Sequence, residues 1–320
     1  MCDQQGKAVP VAFSVAGFIW LLLLGVPDDP IPAEPAFSLG LNGSPLAPGM
    51  ASFIAEAGSL VRVSCSDSVD WSFADTRGSG REFSFTLSRS HGVFTLTAQS
   101  GSAVQQWAVI VPVSGSRMRT TTLNSYPMGF FGGAGVATRR HIPDRFIELN
   151  GSTIGTRLST HFTISDFLCT IRGDWPQYMA LDLQLVQKLE ALLALVKTHY
   201  PEARDIHIIS GFRTPAYNAA IGNETDTSLH LYGKAADFWI EGWPANNLMD
   251  DVDRNKRIDV YDGEYLIGLV RALEARGEVA AGGASAYRWT EAHGPYVHVD
   301  TRGSAARWQT RRNLVTDPVI

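Results

Sequence analysis

Hydrophobic and polar positions change their rhythm several times along the chain, and each change predicts a different kind of structure. Residues 11–26, VAFSVAGFIWLLLLGV, carry no charge, with Lys7 before them and Asp28 and Asp29 after. As a helix this run spans roughly 24 Å, short of the ~30 Å hydrocarbon core, which fits a secretory signal core or a short anchor. A buried core helix is the alternative. No clear small-x-small cleavage site follows, and the flanking charges place the body of the protein across the membrane, outside the cytoplasm. Residues 27–36, PDDPIPAEPA, read as a linker. Residues 37–113 then alternate with period two in short segments separated by turn residues, as in EFSFTLS, where Phe83, Phe85 and Leu87 share a face. Strands at that spacing predict a small β-sandwich-like domain in which Trp71 and Trp107 pack in the core.

Residues 114–157 are rich in turn residues and read as a connecting linker, with FIELN as a short strand near its end. Beyond it the period changes to that of a helix. In ALDLQLVQKLEALLALVKTHY, Leu185, Leu189, Leu192 and Val196 recur at three- and four-residue steps. DIHIIS, KAADFWI and YVHVD read as strands, His207 as a structural mid-strand residue, and EYLIGLVRALEARG as a second helix. The expected organisation is a leader and linker over 1–36, an all-β domain over 37–113, a linker over 114–157, an α+β domain over 158–310 and a tail.

Composition adds limits. The net charge of -5 gives no reason to expect a nucleic-acid partner. Three cysteines, Cys2, Cys65 and Cys169, are too few for a disulfide scaffold and form no CxxC pair. Cys65 and Cys169 read as buried free thiols.

The candidate chemistry lies in the strands of the second domain. Alternation puts Tyr296, His298 and Asp300 on one side of YVHVD and the valines on the other. Asp237 faces opposite to Ala236 and Phe238. If these strands are neighbours, Asp237 and His298 can share one cation, and Gly233 lets the loop from His230 fold back to add a third ligand. Two histidines and a carboxylate suit a catalytic zinc, which keeps its fourth position open.

The stretch SLHLYGKAAD, Ser228 to Asp237, matches Ser-x-His-x-x-Gly-x-Ala-x-Asp in full. It thereby resembles the zinc D-alanyl-D-alanine carboxypeptidase superfamily, and SGFRTPAYN resembles that family's SGYR-type segment. The resemblance runs over about 158–308. It implies an antiparallel sheet cradling zinc on His230, Asp237 and His298, peptidoglycan stem peptides as substrate, and Arg213 and Ser228 in contact with it. It departs at the proton-transfer residue. Many members place a carboxylate three residues before the last histidine, or a histidine two before it; here stand Pro295 and Tyr296. His293 and Glu291, in TEAHGPY, are the candidates to act as acid and base. Asp300 can orient His298 from behind, and Tyr296, like Arg213, can donate to a developing oxyanion.

A second motif, DVDRNKRIDVYD over 251–262, resembles an EF-hand or dockerin calcium loop, with Asp251, Asp253, Asn255, Asp259 and Asp262 as side-chain ligands and the Arg257 carbonyl. Lys256 stands where glycine is expected, and Asp262 where the bidentate glutamate is. A solvated acidic loop is the alternative. Together these readings lead to an exported, periplasmic or envelope-bound zinc peptidase cutting stem peptides, as a carboxypeptidase or an endopeptidase. The alternative from another class is a non-catalytic, zinc-containing cell-wall binding module.

Overall fold

The computed structural model describes residues 37–308 except 89, 133–141, 169–174, 224, 226, 244, 291 and 292. The leader, Cys2, Cys169, Glu291 and the tail lie outside the described residues. Among the described residues, no helix is long and apolar enough to cross a membrane.

The first seven strands are β1 (Leu39–Leu41), β2 (Ser44–Pro45), β3 (Ser52–Ile54), β4 (Leu60–Phe73), β5 (Thr76–Thr86), β6 (Gly92–Ser100) and β7 (Ala103–Val111). They form one hydrogen-bonded sheet, ordered β2-β1-β4-β6-β7-β3, with β5 on the other edge of β4. The long β4 links the two halves of this ladder. Its first half pairs with β1 and its second half with β6, across an irregularity between Ser64 and Val69. β3 joins β7 in parallel. Alternate residues turn inward, so Trp71, Phe83, Phe85, Leu87 and Trp107 are buried together with the free Cys65. Trp71 stacks on Phe83 at 6.0 Å and donates its indole N–H to the Gly80 carbonyl, and both tryptophans are buried.

Short strands follow: β8 (Val113–Ser114), β9 (Met118–Arg119), β10 (Thr122–Leu123), β11 (Tyr126–Pro127), β12 (Arg145–Leu149) and β13 (Gln177–Met179). β12 pairs with β8 and β13. Leu123, Met128, Phe131, Phe146 and Leu149 join the larger core, so this stretch is packed structure along much of its length.

The last part holds α1 (Leu183–His199), β14 (Asp205–Ser210), α2 (Pro215–Ala220), β15 (Ala235–Glu241), α3 (Val260–Ala275), β16 (Gly283–Tyr287), β17 (Tyr296–Asp300) and β18 (Ala306–Arg307). Asp182 caps α1 by accepting from Gln184 N, and Lys197 and His199 in its last turn suit the negative end of its dipole. The sheet runs β14-β15-β17-β16-β18, antiparallel except for β18, which lies parallel to β16. Phe238, Ile240, Val297, Val299 and Ala284 face the apolar stripes of α1 and α3, including Leu185, Leu189, Leu266 and Val270. Each of the larger side chains among these contributes about 1.5–3 kcal/mol by leaving water. Gly263 lets α3 come close: a Cβ there would lie 2.9 Å from that of Ala286. With one face covered by helices, the alternate residues of β15 and β17 are left for polar chemistry.

Candidate metal centre

Register decides what meets on that open face. β15 and β17 pair Asp237 with His298, β16 pairs Ser285 with His298, and β14 pairs Ser210 with Asp237 across a bulge. His230 arrives from a 3-10 turn, Leu229–Tyr232, which ends on Gly233 at φ 62°. That left-handed conformation favours glycine, and packing demands it too: a Cβ would sit 2.0 Å from the Ala180 carbonyl oxygen.

The three side chains converge. His230 Nε2 lies 3.3 Å from His298 Nδ1 and 3.4 Å from Asp237 Oδ2, and His298 Nδ1 lies 2.8 Å from Asp237 Oδ1. Ligands about 2.0–2.1 Å from a tetrahedral zinc stand roughly 3.3 Å apart, so the two separations from His230 fit that ion, while His298 and Asp237 stand at hydrogen-bond distance. The outer nitrogens agree. His230 Nδ1–H donates to the Gly211 carbonyl at 2.7 Å, which leaves the Nε2 lone pair aimed inward. His298 turns Nε2 towards Asp300 Oδ2, 3.5 Å away, and Nδ1 towards the centre. This is the carboxylate-behind-histidine arrangement that fixes a ligand's tautomer.

Asp300 is fully buried and held by the Gly283 N–H at 2.7 Å and by Arg302, whose Nη2 is 2.6 Å away. Arg302 in turn lies over the Trp308 ring, and that ring stands against His298 with centroids 5.3 Å apart. Burial alone would raise the Asp237 carboxyl. The neighbouring His230 and His298 outweigh it and hold the group well below the usual carboxylate range. Burial likewise works against a charged His298, but hydrogen bonds to Asp237 and Asp300 prevail and raise it. Asp300 is held low against its own burial, chiefly by His298 and Arg302.

The other candidates fall around this centre. Arg213 donates from Nη2 to Asp237 Oδ2 at 2.7 Å and from Nε to Ser210 Oγ at 2.8 Å, so it braces a ligand carboxylate. Ser228 is half-buried at the start of the 3-10 turn, where its side chain makes no capping bond. Tyr296 stacks on Tyr287, and His293 meets its ring edge-on at 4.8 Å. Burial, with the charge of Asp237 second, raises the Tyr296 phenol far above its ordinary value, so it stays protonated. His293 Nδ1 donates to the Gly294 carbonyl at 2.8 Å, leaving Nε2 as its acceptor. His207 is not one of the converging ligands; it stacks on Trp239 at 4.3 Å. Sequence reasoning did not reach Ser210, Tyr287, Arg302 or Trp308. Strand alternation alone could have flagged Tyr287; the others depend on register and tertiary packing.

The acidic loop is accounted for differently. Asp251, Asp253 and Asp262 approach one another, but their oxygens accept from the backbone N–H groups of Asn255, Lys256, Asp253 and Asp259. Asp259 does not point into the loop. It caps α3, and with Asp262 it forms a capping box. Asn255 is exposed and donates to Asp253, and Arg257 is exposed as well. Backbone donors of the loop itself engage these carboxylates, and calcium is not supported. Burial, with Asp253 and Asp251 nearby, pushes the Asp262 carboxyl up to about 7 despite the two backbone donors. A carboxyl raised from about 3.9 on folding stabilises below 3.9 and has lost that contribution once pH rises through 7. Asp262→Asn keeps one acceptor for the helix cap. It is expected to flatten the fall of melting temperature between pH 5 and pH 8 relative to wild type; an unchanged slope would contradict this.

No curated protein and no solved structure matches the chain. A family model does: Peptidase M15, over residues 160–265, a stretch that holds Arg213, His230 and Asp237. Peptidases of this family depend on zinc, and the donor set and spacing just described suit that metal. The match over residues 160–265 thus supports the zinc D-alanyl-D-alanine carboxypeptidase-like M15 superfamily for this part of the chain.

Proposed function

We propose that this protein is an exported zinc peptidase that hydrolyses peptide bonds in peptidoglycan stem peptides, as a D-alanyl-D-alanine carboxypeptidase or a related endopeptidase. The observation that carries the reading is the convergence of His230 Nε2, Asp237 and His298 Nδ1 at zinc-like separations beside the M15 match. The uncharged run at residues 11–26 supports export and attachment to the cell envelope. A zinc ion held there would lower the pKa of its water to about 7 and polarise the scissile carbonyl.

The chain's own groups supply the remainder. Arg213 holds Asp237 in place, and its Nη1 remains to meet a substrate carbonyl or carboxylate. His293 Nε2 accepts a proton from the attacking water and returns it to the leaving amine nitrogen. Tyr296, protonated and on the same face as His298, donates to the substrate oxygen. Asp300 and Arg302 hold the His298 ring so that it does not turn.

The test is zinc content of the purified chain together with release of D-alanine or cross-bridge fragments from stem peptides. One equivalent of zinc and turnover are expected. His293→Ala is expected to keep the metal and lose about 10²–10⁴ in kcat. Zinc retained by wild type without hydrolysis of either kind would leave a cell-wall binding module in place of an enzyme.

A further inference from the structure

The register that builds the metal row builds a second row one level along the same strands. Tyr287 in β16 lies directly opposite Tyr296 in β17, two residues from the Ser285–His298 pair and on the same face. On the far side, His207 in β14 lies opposite Trp239 in β15, two residues from Asp237. Four aromatic side chains thus cross the sheet beside the ligands, as two stacked pairs.

The tyrosine pair has a geometry that the other lacks. Its rings are parallel within 2° and 4.5 Å apart, close to the spacing of neighbouring strands. The two rings rise from the same face of the sheet and stack across the strands, which turns both phenols to one side of it. With ring centroids 4.5 Å apart, hydroxyls that keep the spacing of their rings can both reach one oxygen lying between them at a normal ~2.7 Å bond length. Their protons are available for it. The Trp308 indole N–H donates to the Tyr287 oxygen at 3.3 Å, which occupies a lone pair and leaves the Tyr287 proton to be given elsewhere. Tyr296 Oη has no hydrogen bond to another described residue, although the phenol is only half-exposed. Trp308 is itself braced, with the Arg302 guanidinium over its ring and His298 against it.

We propose that Tyr287 and Tyr296 form a paired-hydroxyl donor for the scissile carbonyl oxygen as it gains negative charge, with Trp308 as the positioning residue that aims Tyr287. The proposal rests on the peptidase reading. Both hydroxyls donate and neither gives up its proton. Two aligned donors raised on a rigid sheet stabilise a developing charge without reorganising for it, and one such donor is commonly worth about 10²–10³ in kcat.

The experiment takes full-length Tyr287→Phe, Tyr296→Phe and Trp308→Phe with wild type. It measures zinc content, kcat and KM on a stem pentapeptide, and binding of a phosphinate analogue whose tetrahedral anion mimics the transition state. Each tyrosine variant is expected to keep zinc and a wild-type KM, lose about 10²-fold in kcat, and lose phosphinate affinity in proportion. The double variant should fall by less than the product of the two, because both serve one oxygen. Trp308→Phe should lose about tenfold with KM unchanged, as expected for a positioning group. Wild-type kcat in either Tyr→Phe variant overturns the pair, as does a raised KM at unchanged kcat, which would mean a ground-state carboxylate contact. A wild type that binds the phosphinate but does not turn over refutes the peptidase reading alone, and the phosphinate affinities of the variants still decide the pair. A wild type that neither hydrolyses nor binds it overturns both.

Discussion

Lys188→Ala is expected to cost about 3–5 kcal/mol of stability, the usual range for breaking one side of a buried ion pair. Lys188 is fully buried on α1, and its Nζ donates to Glu274 Oε1 on α3 at 2.9 Å and to the Asp300 carbonyl at 2.8 Å. Glu274 also accepts from the Gly282 N–H and pairs with Arg307. Burial pushes the ammonium down from its ordinary value, while the hydrogen bond and charge of Glu274 work to keep it protonated. Three elements meet at this one amine, α1, α3 and the end of β17 that carries Asp300. Alanine would leave the Asp300 carbonyl without its donor and Glu274 short of a countercharge, with a cavity where the stem lay. Lys188→Met, which refills the volume, should recover part of the loss. Urea unfolding reads this directly: the midpoint should fall at an unchanged slope. A midpoint shift worth less than about 1 kcal/mol would show that the network contributes little.

That network also marks the limit of what the residue pattern could reveal. His230, Asp237 and His298 were legible because strand alternation fixes which side chains share a face and because SLHLYGKAAD is a specific spacing. Leu185, Leu189, Leu192 and Val196 were legible for the matching reason in a helix, and all four are buried. Asp300 behind His298 followed from the same alternation. What alternation does not supply is register between strands distant in sequence. The opposition of Tyr287 and Tyr296, and the closure of Trp308 and Arg302 over His298, depend on it. Loop-rich composition concealed the buried side chains at Leu123, Met128 and Phe131, which are held by tertiary contacts more than by any local period. Arg213, expected against substrate, is engaged with Asp237 and Ser210, a pairing that the bulge after Ile208 makes possible. In the acidic loop the oxygen spacing was real, but side-chain identity alone could not show that backbone N–H groups would take those oxygens.

Asp237→Ala is expected to have the largest functional effect: zinc content falling to background, and hydrolysis falling to the uncatalysed level. The carboxylate is the common partner of the site. Oδ1 meets His298 Nδ1, and Oδ2 meets Arg213 Nη2 and His230 Nε2. Removing it deletes a metal ligand and leaves a nearly buried guanidinium beside two imidazoles with no anion between them. The metal-free variant should therefore be less stable than metal-free wild type by about 3–5 kcal/mol near neutral pH. The sign of the pH dependence separates this cause from a simple cavity. A carboxyl held below its unfolded value of about 3.9 gives stability that is present above that value and lost as pH falls through the lower, folded one. The gap between chelator-treated wild type and variant should thus be wide at pH 7 and narrow as pH falls below about 4. A gap independent of pH would assign the loss to packing, and zinc retained by Asp237→Ala would remove the carboxylate from the metal centre. Asp237→Asn sharpens the contrast: it fills the same space and still accepts from Arg213, yet it lacks the charge, so it should lose the metal with a smaller loss of stability.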